Sequence, residues 1–397
     1  MQVSIMRSGF TLQATVMLLC LSCADAYAAA SAKPNAPTVE EQRIEAARQA
    51  MPQSLAPYQD LQNRVIKAWR AAITLNQLRL DVLRAGDRLW QLAKQQVAGV
   101  GSYDDRGLYW TRLQLTQFLR QNDFAVSLTM QNRLNLIEDL ERSSRGRLDL
   151  AYNKTTDKRL LITGFDPFLL DTNLQQSNPS GVLALLLDGG VISHEGITAE
   201  INTALIPVRY ADFDAGEVES LLAPIYALQS VDLVITLSMG RNEFDLEHFP
   251  GRRRSASAPD NLNILAGGSP AKPLIPSLGG ERLEGPEFVE FSLPYLAMQQ
   301  ASGDYPINDR RLVTTLEKTF SAESLEQLRW TTAVRGGGGG YLSNEISYRS
   351  IRLRNRLGST VPTGHIHTPR MPEYDKAMLE KIATQVTQML RLALQAL

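Results

Sequence analysis

The sequence predicts an α/β protein whose mainly parallel core sheet is flanked by helices and preceded by an all-helical N-terminal domain. After residue 158, short apolar runs such as RLLITGF (159–165) and VDLVITLSMG (231–240) alternate with longer helix-like stretches. Buried strands that alternate with helices along a chain are typical of parallel sheets. Before residue 150, the apolar residues recur at helical spacing instead.

The helical part is predicted for residues 29–150. Leu61, Val65, Trp69 and Ile73 recur every four residues and so form one apolar face. Three of the four tryptophans lie in this part, a placement typical of a core or an interface. Because it contains no constellation of catalytic residues, we interpret it as an accessory domain. The segment ERSSRGR (141–147) would link it to an α/β domain over 151–397.

The first 28 residues have the layout of a secretory signal peptide. A basic residue is followed by an apolar run that decays into small residues, with cleavage options at 24–28. This layout predicts an exported protein, periplasmic or secreted, with no membrane span after cleavage. A lipoprotein anchored at Cys23 is the alternative. The chain's two cysteines, Cys20 and Cys23, both lie in this segment, so the mature protein would have no cysteine nucleophile, disulfide or zinc–thiolate site.

Length and charge set further limits. A chain of 397 residues is long enough for two domains and a sizeable core. Its net charge of −1 gives no electrostatic reason to expect binding to nucleic acid or to an anionic membrane surface. The sequence leaves the oligomeric state open.

The α/β domain is predicted to contain further strands at LRWTTAV (328–334) and TVPTGHIHTP (360–369). Helices are predicted near 179–188, 213–229, 288–300, 308–318 and 374–396. In parallel sheets, ligands bind beside the carboxyl ends of the strands. The residues that directly follow the apolar runs are therefore the candidates for a functional site.

Reactive side chains gather in three of these segments. GRNEFDLEHFPG (240–251) contains several acids, and VRGGGGGYLSNEISY (334–348) places five glycines before Ser343. GHIHTPRMP (364–372) contains His365 and His367. A serine, a histidine and a carboxylate from separate strand ends are what acyl transfer requires. The alternative for Ser343 is the N-cap of the helix predicted after it.

These segments carry a resemblance to a known family. The matching segments are LLITGFDPF (160–168), NPS (178–180), GRNEFDLEH (240–248), PDN (259–261), GPEFVEFSLP (285–294), GGYLSN (339–344) and GHIHTPRMP (364–372). In this order, over about 159–372, the chain is similar to the pyroglutamyl-peptidase I (pyrrolidone-carboxylate peptidase) family, cysteine peptidases that remove N-terminal pyroglutamate. The resemblance implies a phosphorylase/hydrolase-like fold, a peptide substrate with a blocked N-terminus, and no metal or cofactor.

The resemblance also assigns roles to single residues. Ser343 falls where the family has its nucleophilic cysteine, His367 at the general base, and Glu247 at the acid that orients the histidine. Amides of the glycine loop would receive the developing oxyanion. The apolar slot for the pyrrolidone ring would be formed by three aromatic residues, Phe165, Phe168 and Tyr341. His365 would pack behind the site, and Glu243 or Asp245 would replace Glu247 if the register slipped.

The departures from the family define the hypotheses. A serine must lose its proton to the histidine as it attacks, whereas a cysteine can rest as a thiolate. The family's FGG becomes Phe168-Leu169-Leu170, and its arginine before PDN aligns with Ser257. Our hypothesis is an exported hydrolase that removes pyroglutamate, or a related acyl-amide, through a Ser-His-Glu site. The alternatives are a catalytically impaired pseudoenzyme that binds peptides or a protein partner, and a serine hydrolase with another substrate.

Overall fold

The computed structural model describes residues 35–148 and 150–397. The predicted signal peptide and both cysteines lie outside the described residues, so export stays a prediction. None of the helices within 35–148 or 150–397 combines the length and the apolar character that crossing a bilayer requires.

The described N-terminal part is helical, as predicted. Leu61, Val65 and Trp69 are buried on one face, but Ile73 is 76% exposed because its helix ends at Ala71. Threonine N-caps begin several of the helices, which satisfies their first free amides. The α-helices are α1 (Val39–Gln42), α2 (Ile44–Ala50), α3 (Pro52–Leu55), α4 (Gln59–Ala71), α5 (Leu75–Lys94), α6 (Arg106–Gln121) and α7 (Met130–Ser143).

The rest of the chain alternates strands and helices. Its strands are β1 (Lys158–Phe165), β2 (Val191–His194), β3 (Ile197–Ile206), β4 (Leu233–Met239), β5 (Phe244–Glu247), β6 (Ser277–Leu278), β7 (Glu281–Arg282), β8 (Ile307–Arg310), β9 (Leu312–Thr315), β10 (Thr319–Ser321), β11 (Ala333–Arg335) and β12 (Thr363–Thr368). Its α-helices are α8 (Pro179–Leu187), α9 (Tyr210–Asp214), α10 (Glu217–Leu228), α11 (Tyr295–Met298), α12 (Leu342–Arg356) and α13 (Lys376–Ala393).

The central sheet has seven strands in the order β2-β3-β1-β4-β12-β5-β8. The pairs β3/β1, β1/β4, β4/β12 and β5/β8 are parallel, and only β2/β3 and β12/β5 are antiparallel. The prediction of a mainly parallel sheet flanked by helices and preceded by a helical region is therefore confirmed. Because β1, β4 and β12 run in the same direction, the residues that follow them meet at one edge of the sheet.

Three of the predicted elements are wrong. Residues 308–318 form β8 and β9 rather than a helix, because Val313, Thr314 and Thr315 are β-branched residues that pack well in a strand. Residues 288–300 contain only the four-residue α11. The predicted strand at 328–334 begins only at Ala333, and it belongs to a separate three-stranded sheet.

The ten-residue strand β3 carries no clear sequence signal, because buried polar residues interrupt its apolar pattern. Two of these residues, Glu200 and Thr203, have specific partners, whereas the buried Asn202 amide nitrogen has none among the described residues. The Thr203 hydroxyl donates to the Ala184 carbonyl at 2.8 Å, and the Glu200 carboxylate accepts the Lys154 amide at 2.9 Å. Such partners offset the cost of burying polar groups, but they come from distant parts of the chain.

The helical region packs directly against the α/β part. Trp90 on α5 shares a buried cluster with Val182 and Leu185 on α8. Its indole N–H donates to the buried carboxylate of Asp188 at 3.1 Å, and Lys94 forms an ion pair with the same carboxylate at 2.7 Å. The two parts therefore bury apolar surface against each other.

Candidate active site

A cavity of about 330 Å³ opens at the carboxyl ends of β1, β4 and β12. This volume lies within the range of small-molecule sites, about 300–1,000 Å³. The residues that line it are Phe165, Phe168, Leu169, Asn178, Val208, Ser238, Met239, Gly240, Arg241, Ala258, Gly338, Tyr341, Leu342, Ser343, His367 and Arg370. The lining includes five of the six site residues that the sequence predicts, all except Glu247. Every lining residue comes after the helical region in the sequence.

Ser343 lies in the first turn of α12. The helix begins at Leu342 and its N-cap is Tyr341, so the N-cap alternative for Ser343 is wrong. Within the described chain, the Ser343 hydroxyl has one hydrogen-bond acceptor, the carbonyl of Gly338 at 3.5 Å, and none on His367. The backbone amides of Leu342 and Ser343 have no hydrogen-bond acceptor among residues 35–148 and 150–397. Free amides at a helix N-terminus stabilise negative charge beside them.

The glycine run is a compact turn in which individual glycines permit close contacts. Gly336 and Gly339 exchange backbone hydrogen bonds, and Gly339 has a φ of +98°. A Cβ on Gly338 would lie 2.4 Å from Glu247 Oε1, and one on Gly340 would lie 2.1 Å from Ser255 Oγ. The Gly338 amide donates to Glu247 at 2.6 Å. It is therefore not free for an oxyanion, and the amides at the start of α12 are the better donors.

The two histidines near the end of β12 occupy different environments. His367 lines the cavity, whereas His365 is fully buried behind it, with the two rings 4.7 Å apart at their centroids. His365 Nδ1 lies 2.7 Å from the hydroxyl of Thr236, and its Nε2 lies 2.8 Å from that of Ser238. Both ring nitrogens of His365 are thus used, which agrees with the packing role expected for it.

Glu247 ends β5 beneath the glycine turn and is completely buried. One of its carboxylate oxygens, a nitrogen of His365 and a nitrogen of His367 all lie within 4.8 Å of one another. Its Oε2 atom is buried and accepts no hydrogen bond of good geometry among the described residues, although the nearby Ser347 hydroxyl, also buried, acts to lower the pKa of the carboxyl. The neighbouring Glu243 is exposed and accepts a hydrogen bond from Asn308 at 2.7 Å. Asp245 is the cross-strand partner of His367, but its carboxylate pairs with Arg241 at 3.5 Å and accepts from Asn308 at 3.2 Å, so Glu247 is the better candidate partner of His367.

Burial keeps both members of this pair uncharged. It raises the pKa of the Glu247 carboxyl from 4.5 to about 8, although the hydrogen bond from Gly338 opposes the change. Burial also lowers the pKa of His367 from 6.5 to about 3, and the positive charges of Arg241 and Arg310 lower it further. His367 is therefore a neutral imidazole near neutral pH, the form that can accept a proton.

Glu247, His365 and His367 also have the donor types and proximity of metal ligands. To ligate a metal, His365 would have to give up one of its hydrogen bonds to hydroxyl groups. The charges of Arg241 and Arg310, which act on His367, also oppose a bound cation. The residues present fit a hydrogen-bonded His365 packed against a neutral His367 better than a metal centre.

Phe165, Phe168 and Tyr341 all line the cavity. Phe168 and Tyr341 are stacked with their centroids 6.4 Å apart. A planar ring held between two aromatic faces needs roughly 7 Å between them, twice a carbon–carbon contact distance. A sandwiched lactam therefore requires these two rings to separate slightly. Tyr341 is held by its hydroxyl, which donates to the Pro259 carbonyl at 2.8 Å, so Phe168 is the ring with more freedom.

Leu169 stands where the resemblance has a glycine. Its φ is +61°, a left-handed conformation that costs a residue with a Cβ about 1–2 kcal/mol and a glycine almost nothing. The turn after Phe168 therefore keeps a glycine-like backbone although its side chain is a leucine, and that side chain forms part of the cavity lining.

Sequence reasoning missed the buried ion pairs around the cavity. Arg254 is buried and pairs with Glu345 of α12 at 2.6 Å and with Asp214 at 2.8 Å. Its guanidinium also lies 4.8 Å from the centre of the Tyr210 ring, which packs edge-on against Tyr341. The acids that pair with this arginine lie far from it in sequence, so no local pattern could have indicated them.

A second buried set fixes the loop after β1 from behind. Asp166 lies between Phe165 and the rest of the aromatic loop and accepts from Arg112 at 3.0 Å and from Arg145 at 2.5 Å. Arg112 lies on α6 and Arg145 just after α7, and the side chains of both are almost fully buried. The helical region therefore contacts the loop that carries Phe168 without entering the cavity.

Both parts of the chain match models of known protein families. Residues 22–141 match the family model described as the PA0049 N-terminal domain, and residues 159–302 and 308–372 match the PA0049 C-terminal domain. The uncharacterized protein PA0049 of Pseudomonas aeruginosa is 29% identical over an alignment 385 residues long including gaps, and the match covers 74% of this chain and 70% of that protein.

Among solved structures, pyrrolidone carboxyl peptidase from Pyrococcus furiosus is 20% identical, with a TM-score of 0.40 over 60% of this chain and 99% of that one. The enzyme from Thermococcus litoralis is 19% identical, with a TM-score of 0.41 over 60% of this chain and 94% of its own. The match to the C-terminal model alone spans more than half of the sequence, and so this chain belongs to the PA0049 family.

Proposed function

We propose that this protein is a serine hydrolase that removes an N-terminal pyroglutamyl group, or a related acyl group, from a peptide amide. One observation supports this most strongly. Ser343 and His367, which lie far apart in sequence, line the same cavity, and the buried carboxylate of Glu247 lies beside His367. The motif resemblance supplies the substrate class, and the apolar cavity suits a neutral lactam.

In the proposed reaction, the Ser343 hydroxyl attacks the acyl carbon while His367 takes its proton. The carbonyl oxygen becomes an oxyanion beside the free amides of Leu342 and Ser343. His367 then gives the proton to the leaving amine as the carbon–nitrogen bond breaks. Water hydrolyses the acyl-serine through the same proton transfers in reverse. Glu247, once ionised, stabilises the positive charge on His367 during both steps.

Replacing Ser343 by alanine tests this assignment. We expect the hydrolysis of a pyroglutamyl-amide reporter to fall by about 10³-fold or more, because the acyl-enzyme cannot form. Exposed Ser302 provides the control, and Ser302→Ala should retain full activity. If Ser343→Ala retained wild-type activity, the assignment would be wrong.

The pH dependence of hydrolysis provides a second test. The reaction requires ionised Glu247 and neutral His367, whose pKa values are about 8 and about 3. We therefore expect kcat/KM to rise about tenfold per pH unit below pH 8 and to level off above it. A profile that is flat between pH 6 and 9, measured with the same reporter, would contradict a role for the Glu247 carboxylate.

A second candidate function is peptide binding by a catalytically impaired site. The observation that favours it is the hydrogen bond of the Ser343 hydroxyl, which goes to Gly338 and not to His367. This candidate predicts that wild-type protein does not react with a fluorophosphonate probe but does bind pyroglutamyl peptides. It also predicts that Ser343→Cys gains hydrolysis, because a thiolate needs no proton transfer during attack. Labelling of Ser343 by the probe would instead support the hydrolase.

A further inference from the structure

The charged groups that line the cavity all have the same sign. Two arginines, Arg241 and Arg370, are among its lining residues, and no aspartate or glutamate of the described chain is. The other lining groups are apolar or neutral, apart from the titratable His367, which is uncharged near neutral pH. A ligand that fills this cavity therefore meets a neutral apolar floor and two positive charges.

The backbone holds these two arginines side by side. Arg241 follows β4 and Arg370 follows β12, and these two strands are parallel neighbours. The Gly240 amide donates to the Thr368 carbonyl at 2.8 Å, and the Arg370 amide donates to the Arg241 carbonyl. Arg370 thus lies two residues beyond the strand that carries His367, and Arg241 lies two residues beyond the neighbouring strand.

The positive charge of this arginine pair is only weakly compensated within the protein. The Arg241 side chain is 51% exposed, and its nearest carboxylate is Asp245 at 3.5 Å. Arg370 is exposed and forms no ion pair with any residue in 35–148 or 150–397. In contrast, the arginine behind the cavity, Arg254, is buried between two carboxylates at 2.6 and 2.8 Å. The arginine pair is therefore available to a ligand.

The arginine pair also affects the proposed chemistry. The charge of Arg241 opposes the uptake of a proton by His367, which disfavours the proposed general base in the free protein. An anion bound between the two arginines would offset this charge and favour proton transfer. Guanidinium groups also match the planar geometry of a carboxylate, with two parallel hydrogen bonds.

We propose that the arginine pair binds a carboxylate on the leaving side of the scissile amide, so that the site prefers pyroglutamyl substrates with a negative charge one residue beyond the bond. This inference rests on the proposed function for the identity of the acyl group. The carboxylate has two sources, the free C-terminus of a dipeptide or an acidic side chain on the first leaving residue.

The test compares three compounds. They are pyroglutamyl-alanine with a free carboxylate, pyroglutamyl-alanine amide, and pyroglutamyl-aspartyl amide. We expect kcat/KM for at least one of the two carboxylates to exceed that for the uncharged amide by tenfold or more. Preference for the first identifies the C-terminus as the source, and preference for the third identifies the side chain. Equal kcat/KM values for all three would overturn the proposal.

Variants connect this preference to the arginine pair. In the double variant Arg241→Gln/Arg370→Gln, kcat/KM for the preferred carboxylate substrate, divided by kcat/KM for pyroglutamyl-alanine amide, should fall towards one. The matched control is Arg356→Gln, an exposed arginine at the far end of α12, which should keep the wild-type ratio. A ratio that stays unchanged in the double variant would also overturn the proposal.

Binding of the same compounds to Ser343→Ala, measured by calorimetry, separates this proposal from the proposed function. Tighter binding of a carboxylate by tenfold or more, without turnover in wild type, supports the arginine pair and rejects the hydrolase. Turnover in wild type without any preference among the compounds rejects the arginine pair and leaves the hydrolase standing. Absence of both binding and turnover rejects the two proposals together.

Discussion

Replacing Glu247 with glutamine is expected to reduce hydrolysis by about 10⁴-fold, because an amide cannot stabilise a protonated His367. The fold should tolerate the change, since the glutamine oxygen can still accept the Gly338 amide. The buried Oε2 atom accepts no hydrogen bond of good geometry among the described residues, and the nearby Ser347 hydroxyl can accept from the new amide. Activity can be measured with a pyroglutamyl-amide reporter and the fold with circular dichroism.

The same variant should change how stability depends on pH. The pKa of Glu247 is about 8 in the folded chain, whereas a carboxyl in the unfolded chain has the ordinary value of 4.5. Between pH 4.5 and pH 8 the folded protein therefore keeps a proton that the unfolded chain releases. Its contribution to stability is therefore fully present below pH 4.5 and is lost as the pH rises through 8. Glutamine does not ionise. Compared with Glu247→Gln, wild type should lose a few kcal/mol of unfolding free energy over this range.

The exposed neighbour Glu243 provides a matched control for both effects. Glu243→Gln should keep wild-type activity and a wild-type pH profile of unfolding, measured by denaturant titration. Full activity in Glu247→Gln would show that this carboxylate takes no part in the reaction. If the pH profiles of unfolding of Glu247→Gln and wild type coincided, the carboxyl would not be neutral in the folded protein.

Replacing Asp166 with asparagine is expected to lower the free energy of unfolding by about 3–5 kcal/mol, because two buried arginines lose their shared counter-charge. Arg112 and Arg145 have side chains that are only 1% and 2% exposed, so water cannot compensate them, although Arg145 keeps a second carboxylate, that of Glu141 at 2.6 Å. The substitution should also raise KM more than it lowers kcat. Asp166 shares the loop with Phe168, and its carbonyl accepts a hydrogen bond from the cavity residue Asn178 at 2.9 Å.

Asp123 provides the contrasting case. It also pairs with an arginine, Arg133 at 3.5 Å, but its side chain is fully exposed. Asp123→Asn should therefore change the unfolding free energy by less than about 0.5 kcal/mol and leave KM unchanged. A loss of under 1 kcal/mol in Asp166→Asn, measured by denaturant titration, would refute the idea that the helical region holds the aromatic loop.

Much of the site could be predicted from short segments of sequence. Strands β1, β4 and β12 are apolar runs whose ends carry the reactive residues, and parallel topology brings such ends together. The motifs around Ser343 and His367 occur along this chain in the same order as in the family that it resembles. We could therefore expect the two side chains to meet at one site. The strand β3 and the β8–β9 pair were not predicted, because their polar and β-branched residues lack a clean period.

The sequence by itself determined that the chain has a helical region and a mainly parallel α/β region, and which strand ends carry a serine, a histidine and an acid. The tertiary structure alone decided that the Gly338 amide is committed to Glu247, that Asp166 is paired with arginines of the helical region, and that Arg241 lies beside Arg370. The physical reason is that apolar periodicity is a local property of the chain. Hydrogen bonds and ion pairs between residues distant in sequence, and the pKa values that follow from burial, exist only once the chain has folded.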